Sequence, residues 1–261
     1  MDGNTGLVDP EAFLDRVVNI DGKSYERLEP MTDYRRDPGE ARILYLCRLN
    51  PEDDAKSNHL CVMKVKVQYV TVDMYLKPDA DTHRVPPRSA SDDATEPLPG
   101  PSATTAAEWM ALQRFRDESV EGVPHIIATQ CSPQGTHGPF PGGYMSFTIM
   151  TRMPGQDLMA CKFWSMEDAV KEEIRQAFVA LLKSIWRLGI APYDCALRNI
   201  IWDAQTPQCS IVDFEHYLPA KDPINMTEQE EMERWGIMQR KPPSHWAVEW
   251  GLYKDPNVVE K

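Results

Sequence analysis

Nothing in this chain points to a disulfide framework or a zinc site. Six cysteines (Cys47, Cys61, Cys131, Cys161, Cys195 and Cys209) occur among 261 residues, with no C-x-x-C pair and no regular spacing. Reduced thiols are the simplest state for them, and they favour a cytoplasmic or nuclear setting. Long apolar runs are also missing: none approaches the roughly 20 residues that span a bilayer. The opening MDGNTGLVDPEAFLDRVV has neither a basic start nor a following apolar stretch. A soluble protein with no membrane partner is therefore expected. Positive charge is scarce, with 28 Lys and Arg against 40 Asp and Glu and a formal net charge of -12. That balance opposes attraction to a phosphate backbone, so no nucleic-acid partner is expected. No internal repeat is visible, and the length allows one large domain or two lobes sharing a cleft.

Composition changes most sharply between Lys77 and Ala106, where prolines, serines and acidic residues replace large apolar side chains. Such a stretch buries too little surface to offset its ordering entropy, so a disordered insertion at about 78–105 is expected. Before it, ARILYLCRL (41–49) and HLCVMKVKVQYV (59–70) read as neighbouring antiparallel strands, each preceded by turn chemistry. After it, Trp109, Leu112 and Phe115 recur at three-residue steps and predict a short helix over 107–116. PHIIATQC and YMSFTIMTRM read as two further strands joined by a Gly- and Pro-rich surface turn. From Ser165, SMEDAVKEEIRQAFVALLKSIWRLG carries an apolar helical face, and Ser165 with Asp168 resembles a capping box. TEQEEMERWGIMQR predicts an acidic helix stopped by Lys-Pro-Pro, and WAVEWGLYKDPN a last short turn or helix.

The segment YDCALRNIIWDAQTPQCSIVDFE (193–215) places Asp194, Asn199 and Asp213 at the margins of two apolar runs. Two carboxylates and an amide gathered at strand and loop ends suit a divalent cation. Magnesium prefers oxygen ligands and takes only one or two from protein when phosphates supply others. A phosphoryl-transfer site also needs a cation against the phosphates and a carboxylate that positions the attacking hydroxyl. Lys64, closing the apolar CVMK, suits the first role and Asp194 the second.

These motifs, in this order, resemble those of the protein-kinase-like superfamily, in a divergent form similar to fungal kinase-like proteins and small-molecule phosphotransferases. CVMK resembles the V-A-I-K strand, and the resemblance implies that Lys64 contacts the α- and β-phosphates of ATP. It places Glu108 of AAEWMALQRF at the glutamate that pairs with that lysine. FTIMTRMPGQDL resembles the last N-lobe strand and hinge, with Met150 near the gatekeeper position and Thr151 to Met153 offering backbone groups to adenine. YDCALRN keeps the spacing of H-R-D-x-x-x-x-N, implying Asp194 as base and Asn199 as metal ligand. VDFE stands for D-F-G, with Asp213 as the main ligand of Mg2+. The pattern departs in places: Pro192 and Tyr193 replace the His and Arg, Ala196 replaces a lysine, and Glu215 replaces the glycine of D-F-G. Arg198 sits four residues after Asp194 and is assigned to the γ-phosphate. No G-x-G-x-x-G precedes Lys64; EPMTDYRRDPGEA occupies its place, and no A-P-E segment follows.

The fold class implied is α+β, with a β-rich N-lobe (1–153) and a shortened, mainly helical C-lobe (154–261). The activity implied is ATP- and Mg-dependent transfer of a γ-phosphate to a hydroxyl of a protein or small molecule. The alternative is a pseudokinase that binds nucleotide or protein without catalysis. Each residue also has an ordinary reading: Lys64 as a strand lysine snorkelling to solvent, Glu108 as a solvated helix charge, Asp194 and Asn199 as turn residues. Asp213 beside a buried strand is harder to place so, because an unpaired carboxylate there carries a desolvation cost.

Overall fold

In a computed structural model of the chain, residues 12–37, 39–50, 60–69, 96–219 and 227–239 are described. Asp21 and Gly22, both at positive φ, fold Val17–Ile20 (β1) back onto Lys23–Pro30 (β2). Beyond β2 come Arg35–Asp37 (β3), a tight turn through Gly39 at φ 80°, and Glu40–Leu49 (β4). Leu60–Gln68 (β5), Ile126–Pro133 (β6) and Tyr144–Thr151 (β7) complete a sheet of order β1-β2-β4-β5-β7-β6, with β3 paired to β4. Every pairing in it is antiparallel. The two strands expected at 41–49 and 59–70 are direct neighbours, and so are the pair joined by the Gly- and Pro-rich turn.

The period-two alternation of β4 and β5 divides the sheet into two chemistries. Ala41, Ile43, Tyr45 and Cys47 join Cys61, Met63, Val65 and Val67 in a core with Ile20, Tyr25, Phe147 and Ile149. The opposite face of β5 carries Lys64, Lys66 and Gln68, all buried. A central strand covered on both sides favours continuous apolar residues. Three buried polar side chains on one strand therefore need partners, and they set the position of the site.

The helix Ala103–Asp117 (α1) lies on that polar face, where Trp109 Nε1 donates to Thr148 Oγ1 at 2.6 Å. It starts earlier than the expected 107 because Ser102 caps it, accepting from the Thr105 N–H. Residues 96–102, expected to be disordered, are held as well: Gln68 Nε2 donates to Glu96 O at 2.9 Å and Gln68 Oε1 accepts from Leu98 N at 2.8 Å. Counting apolar side chains missed them because a buried amide fixes their backbone. The rest of that expected insertion, and the expected turn or helix in WAVEWGLYKDPN, lie outside the described residues.

Past β7 the chain forms Gln156–Asp157 (β8), the helix Asp168–Arg187 (α2), Ile190–Pro192 (β9), Ile200–Asp203 (β10), Gln208–Ile211 (β11), Tyr217–Pro219 (β12) and the helix Glu228–Arg234 (α3). Among the described residues, five short strands accompany the two helices of this half. Gly155, at φ 100°, lets the chain cross β10 where a Cβ would lie 2.2 Å from the Trp202 carbonyl oxygen. α2 buries Ile174, Phe178, Leu181, Leu182 and Ile185 in a second core with Phe115 of α1, Ile211, Phe214 and Trp235. The expected Ser165–Asp168 box does not form. Ser165 closes a 3-10 turn through its N–H to Lys162 O, and Glu167 precedes the helix without a side-chain cap. The full capping box belongs instead to Thr227 and Glu230 at α3. No helix among the described residues is long and apolar enough to cross a membrane.

Candidate active site

Lys64 sits mid-strand on β5, 4 % exposed, so the snorkelling alternative does not hold. Its ammonium meets Glu108 Oε1 at 2.7 Å, Glu215 Oε1 at 2.7 Å and Asp213 Oδ1 at 3.3 Å. The partners arrive from three elements: Glu108 from α1, and Asp213 and Glu215 from the turn after β11. Phe214 supplies the reason that turn sits here, burying its ring fully and meeting Phe115 of α1 edge-on at 4.6 Å. Asp213 is held at φ 67°, a left-handed conformation that Asp tolerates better than most residues and that marks a constrained position.

Glu215 is the second hub. Its Oε2 accepts from Lys66 at 2.8 Å, and Arg42 Nη1 lies 3.3 Å from both of its oxygens. Lys66, 1 % exposed, is also paired with Glu40 at 2.8 Å and reaches Thr104 at 3.2 Å. Burial alone would neutralise Lys64, but the carboxylates of Asp213, Glu108 and Glu215 outweigh it and hold the ammonium well above its ordinary pKa. Burial likewise opposes ionisation of Glu215, yet Lys64, Lys66 and Arg42 keep its carboxyl far below the usual value. Glu108 shifts the other way, raised chiefly by burial, and its Oε2 has no hydrogen-bond partner among the described residues. Oxygens of Glu108, Asp213 and Glu215 lie within 4.8 Å of one another. With Lys64 bonded to all three, the trio is an ammonium cage.

Asp194 and Asn199 come from the turn between β9 and β10. Asn199 Nδ2 donates to Asp194 O at 2.8 Å, fixing the loop, and Val212 N donates to Asn199 O at 2.9 Å, tying it to the segment that carries Asp213. Arg198 Nη2 lies 2.8 and 2.6 Å from the two Asp194 oxygens. A cavity of about 590 Å³ is lined by Lys64, Glu108, Asn199 and Asp213 together with Arg198, Met150, Thr151 and Met153. Eight of the nine residues singled out from sequence thus share one cavity; Asp194 stands behind Arg198. Thr151 offers less to a ligand than expected, since its N–H donates to His125 O at 2.9 Å and its hydroxyl accepts from His125 N at 2.8 Å.

A family model described as lipopolysaccharide kinase (Kdo/WaaP) matches residues 92–234, more than half of the chain. The chain belongs to that family. No curated protein matches it. Among solved structures, that of the Cydia pomonella granulovirus kinase PK-1 is 14 % identical with a TM-score of 0.44, covering 75 % of this chain and 52 % of its own. The chain therefore spans about half the length of that kinase. The divergent kinase-like identity read from the motifs stands.

As a Kdo/WaaP-family chain it carries features that the motif reading did not find. Lys66, Arg42 and Glu40 escaped notice because no motif includes them; the only signal was the alternation of β5, which places Lys66 on the face of Lys64. Glu215 was recognised as a departure, but its role as a bridge between two buried lysines depends on a distant strand. The donors suit magnesium. Asn199 is buried and uses its nitrogen on Asp194, and among the described residues no donor meets its Oδ1. Asp213 lines the same cavity and would offer a second oxygen of the kind magnesium takes.

Proposed function

We propose that the chain is an ATP- and Mg-dependent phosphotransferase that moves a γ-phosphate to a hydroxyl of a protein or small molecule. The observation that carries this reading is the convergence of Lys64, Glu108, Asn199, Arg198 and Asp213 on one cavity. In it, the sheet half to Met153 and the half from Pro154 act as two lobes with nucleotide between them. Met150, Thr151 and Met153 flank the base. Lys64, oriented by Glu108, meets the α- and β-phosphates, and Asn199 with Asp213 holds the metal, which when bound neutralises charge on the phosphates. Asp194 orients the acceptor hydroxyl and takes its proton. Arg198, four residues on, transfers part of its hydrogen bonding from Asp194 to the γ-phosphate. Such chemistry is largely positioning and charge compensation. The family is described as lipopolysaccharide kinase, which makes a sugar hydroxyl one acceptor to try among small molecules.

A pseudokinase is the second reading, favoured by the Arg198–Asp194 pair and by the missing glycine-rich loop. Magnesium-dependent turnover of ATP separates the two. Turnover above background in the wild type, lost in Asp194→Ala, supports transfer; nucleotide binding without turnover for any acceptor supports the pseudokinase.

A further inference from the structure

The outer wall of the cavity is built from chain that the phosphotransferase reading leaves without a task. β2, residues 31–34, β3 and β4 form one long hairpin standing where a glycine-rich loop would lie. Residues 31–34 are fastened onto β4: Met31 N donates to Leu44 O at 2.7 Å and Thr32 Oγ1 accepts from Leu44 N at 3.1 Å. Strand register then places Arg35 opposite Arg42 and Arg42 opposite Lys66, so three basic side chains stand in one row across three strands. Lys66 is compensated by Glu40 and Glu215. Arg42 meets Glu215 at 3.3 Å, and Arg35 is exposed with no ion pair among the described residues. Both arginines line the cavity alongside Lys64 and Asp213.

A glycine-rich loop holds phosphates because its N–H groups are unpaired and point at the ligand. The backbone of β3 is in a ladder with β4, and ladder N–H groups lie in the plane of the sheet rather than out of its cavity-lining face. Backbone recognition is therefore closed off at β3, and side chains must meet the anion. Guanidinium groups suit this, offering forked pairs of N–H donors with the geometry of phosphate oxygens. Charge argues the same way. A chain of net charge -12 repels a polyphosphate at long range, yet five cations and four carboxylates line this cavity. Among the lining residues the acidic excess of the whole chain is absent where an anion must enter.

We propose that Arg35 and Arg42 form a guanidinium clamp that takes the phosphates of a nucleoside triphosphate in place of a glycine-rich loop. The clamp rests on the nucleotide reading of the cavity. The test is calorimetric titration of ATP and of adenosine, with magnesium and at two salt concentrations, into wild type, Arg35→Ala, Arg42→Ala and Arg42→Lys. The clamp predicts that ATP binds the wild type more tightly than adenosine does. Each alanine variant weakens ATP about tenfold, the scale of one charged hydrogen bond, and flattens its salt dependence. Arg42→Lys recovers part of the loss. Arg42→Ala also touches Glu215, so Arg35→Ala, which removes no ion pair among the described residues, decides. An unchanged ATP affinity in Arg35→Ala beside a binding wild type overturns the clamp alone. Wild type that binds neither ligand overturns the nucleotide reading and the clamp together.

Discussion

Truncating Glu215 tests whether the network around Lys64 is a cohesive element of the fold. Glu215→Ala deletes charged hydrogen bonds of 2.7 and 2.8 Å to two buried lysines and a longer contact of 3.3 Å to Arg42. Breaking one buried pair costs about 3–5 kcal/mol when it strands a charge. Neither lysine is stranded here: Lys64 keeps Glu108 and Asp213, and Lys66 keeps Glu40. The cluster of Lys64, Lys66 and Arg42 against Glu40, Glu108, Asp213 and Glu215 passes from an excess of one carboxylate to balance. The cost therefore falls at the low end, about 3 kcal/mol. For a domain of this size that lowers Tm by about 6–12 °C, at roughly 2–4 °C per kcal/mol. Differential scanning calorimetry reads it directly, with urea unfolding as a second probe. A Tm within about 2 °C of wild type would show that the bridge contributes nothing net and refute the reasoning.

Acid should act through the same carboxylate. Its folded pKa is held below the ordinary 4.5, so the stability it contributes is complete above about pH 4.5 and is lost as the pH falls. Glu215→Gln should flatten the stability profile across that acid range, and an unchanged slope contradicts the assignment. Lys64→Met should cut phosphate transfer about 10²–10³-fold, the scale of losing one preorganised electrostatic group; full activity removes Lys64 from the phosphate site. Glu108→Gln retains a hydrogen bond to Lys64 without the charge, so a smaller loss in the same assay is expected.

Much of the candidate site was legible because the residues proposed for its chemistry are marked by spacing. Asp194 and Asn199 five residues apart, and Asp213 after an apolar strand, mark the cavity without knowledge of any long-range contact. Lys64 and Glu108 were harder, since each alone is an ordinary strand or helix charge, and only the register of β5 against α1 buries them together. Lys66, Arg42 and Glu40 were not legible, because they act through pairings between strands that no local pattern specifies. The same limit explains residues 96–102, where the buried amide of Gln68 orders a segment that composition reads as loop. Ser165 failed in the opposite sense: a local capping signal was overridden by a 3-10 turn that committed its backbone to Lys162.

The central claim is that Asn199 and Asp213 hold magnesium for a nucleotide in this cavity. Melting temperatures with ATP alone, magnesium alone and both together, for wild type and Asp213→Asn, test it most directly. Asparagine is the substitution of choice because it tolerates the left-handed backbone at φ 67°. A ligand at about 100 times its Kd adds about 2.7 kcal/mol, which is about 5–11 °C for this size. The account predicts that shift for wild type with both ligands, and a much smaller one for Asp213→Asn. An equal shift in the two proteins, or none in wild type at saturating magnesium and ATP, would contradict it.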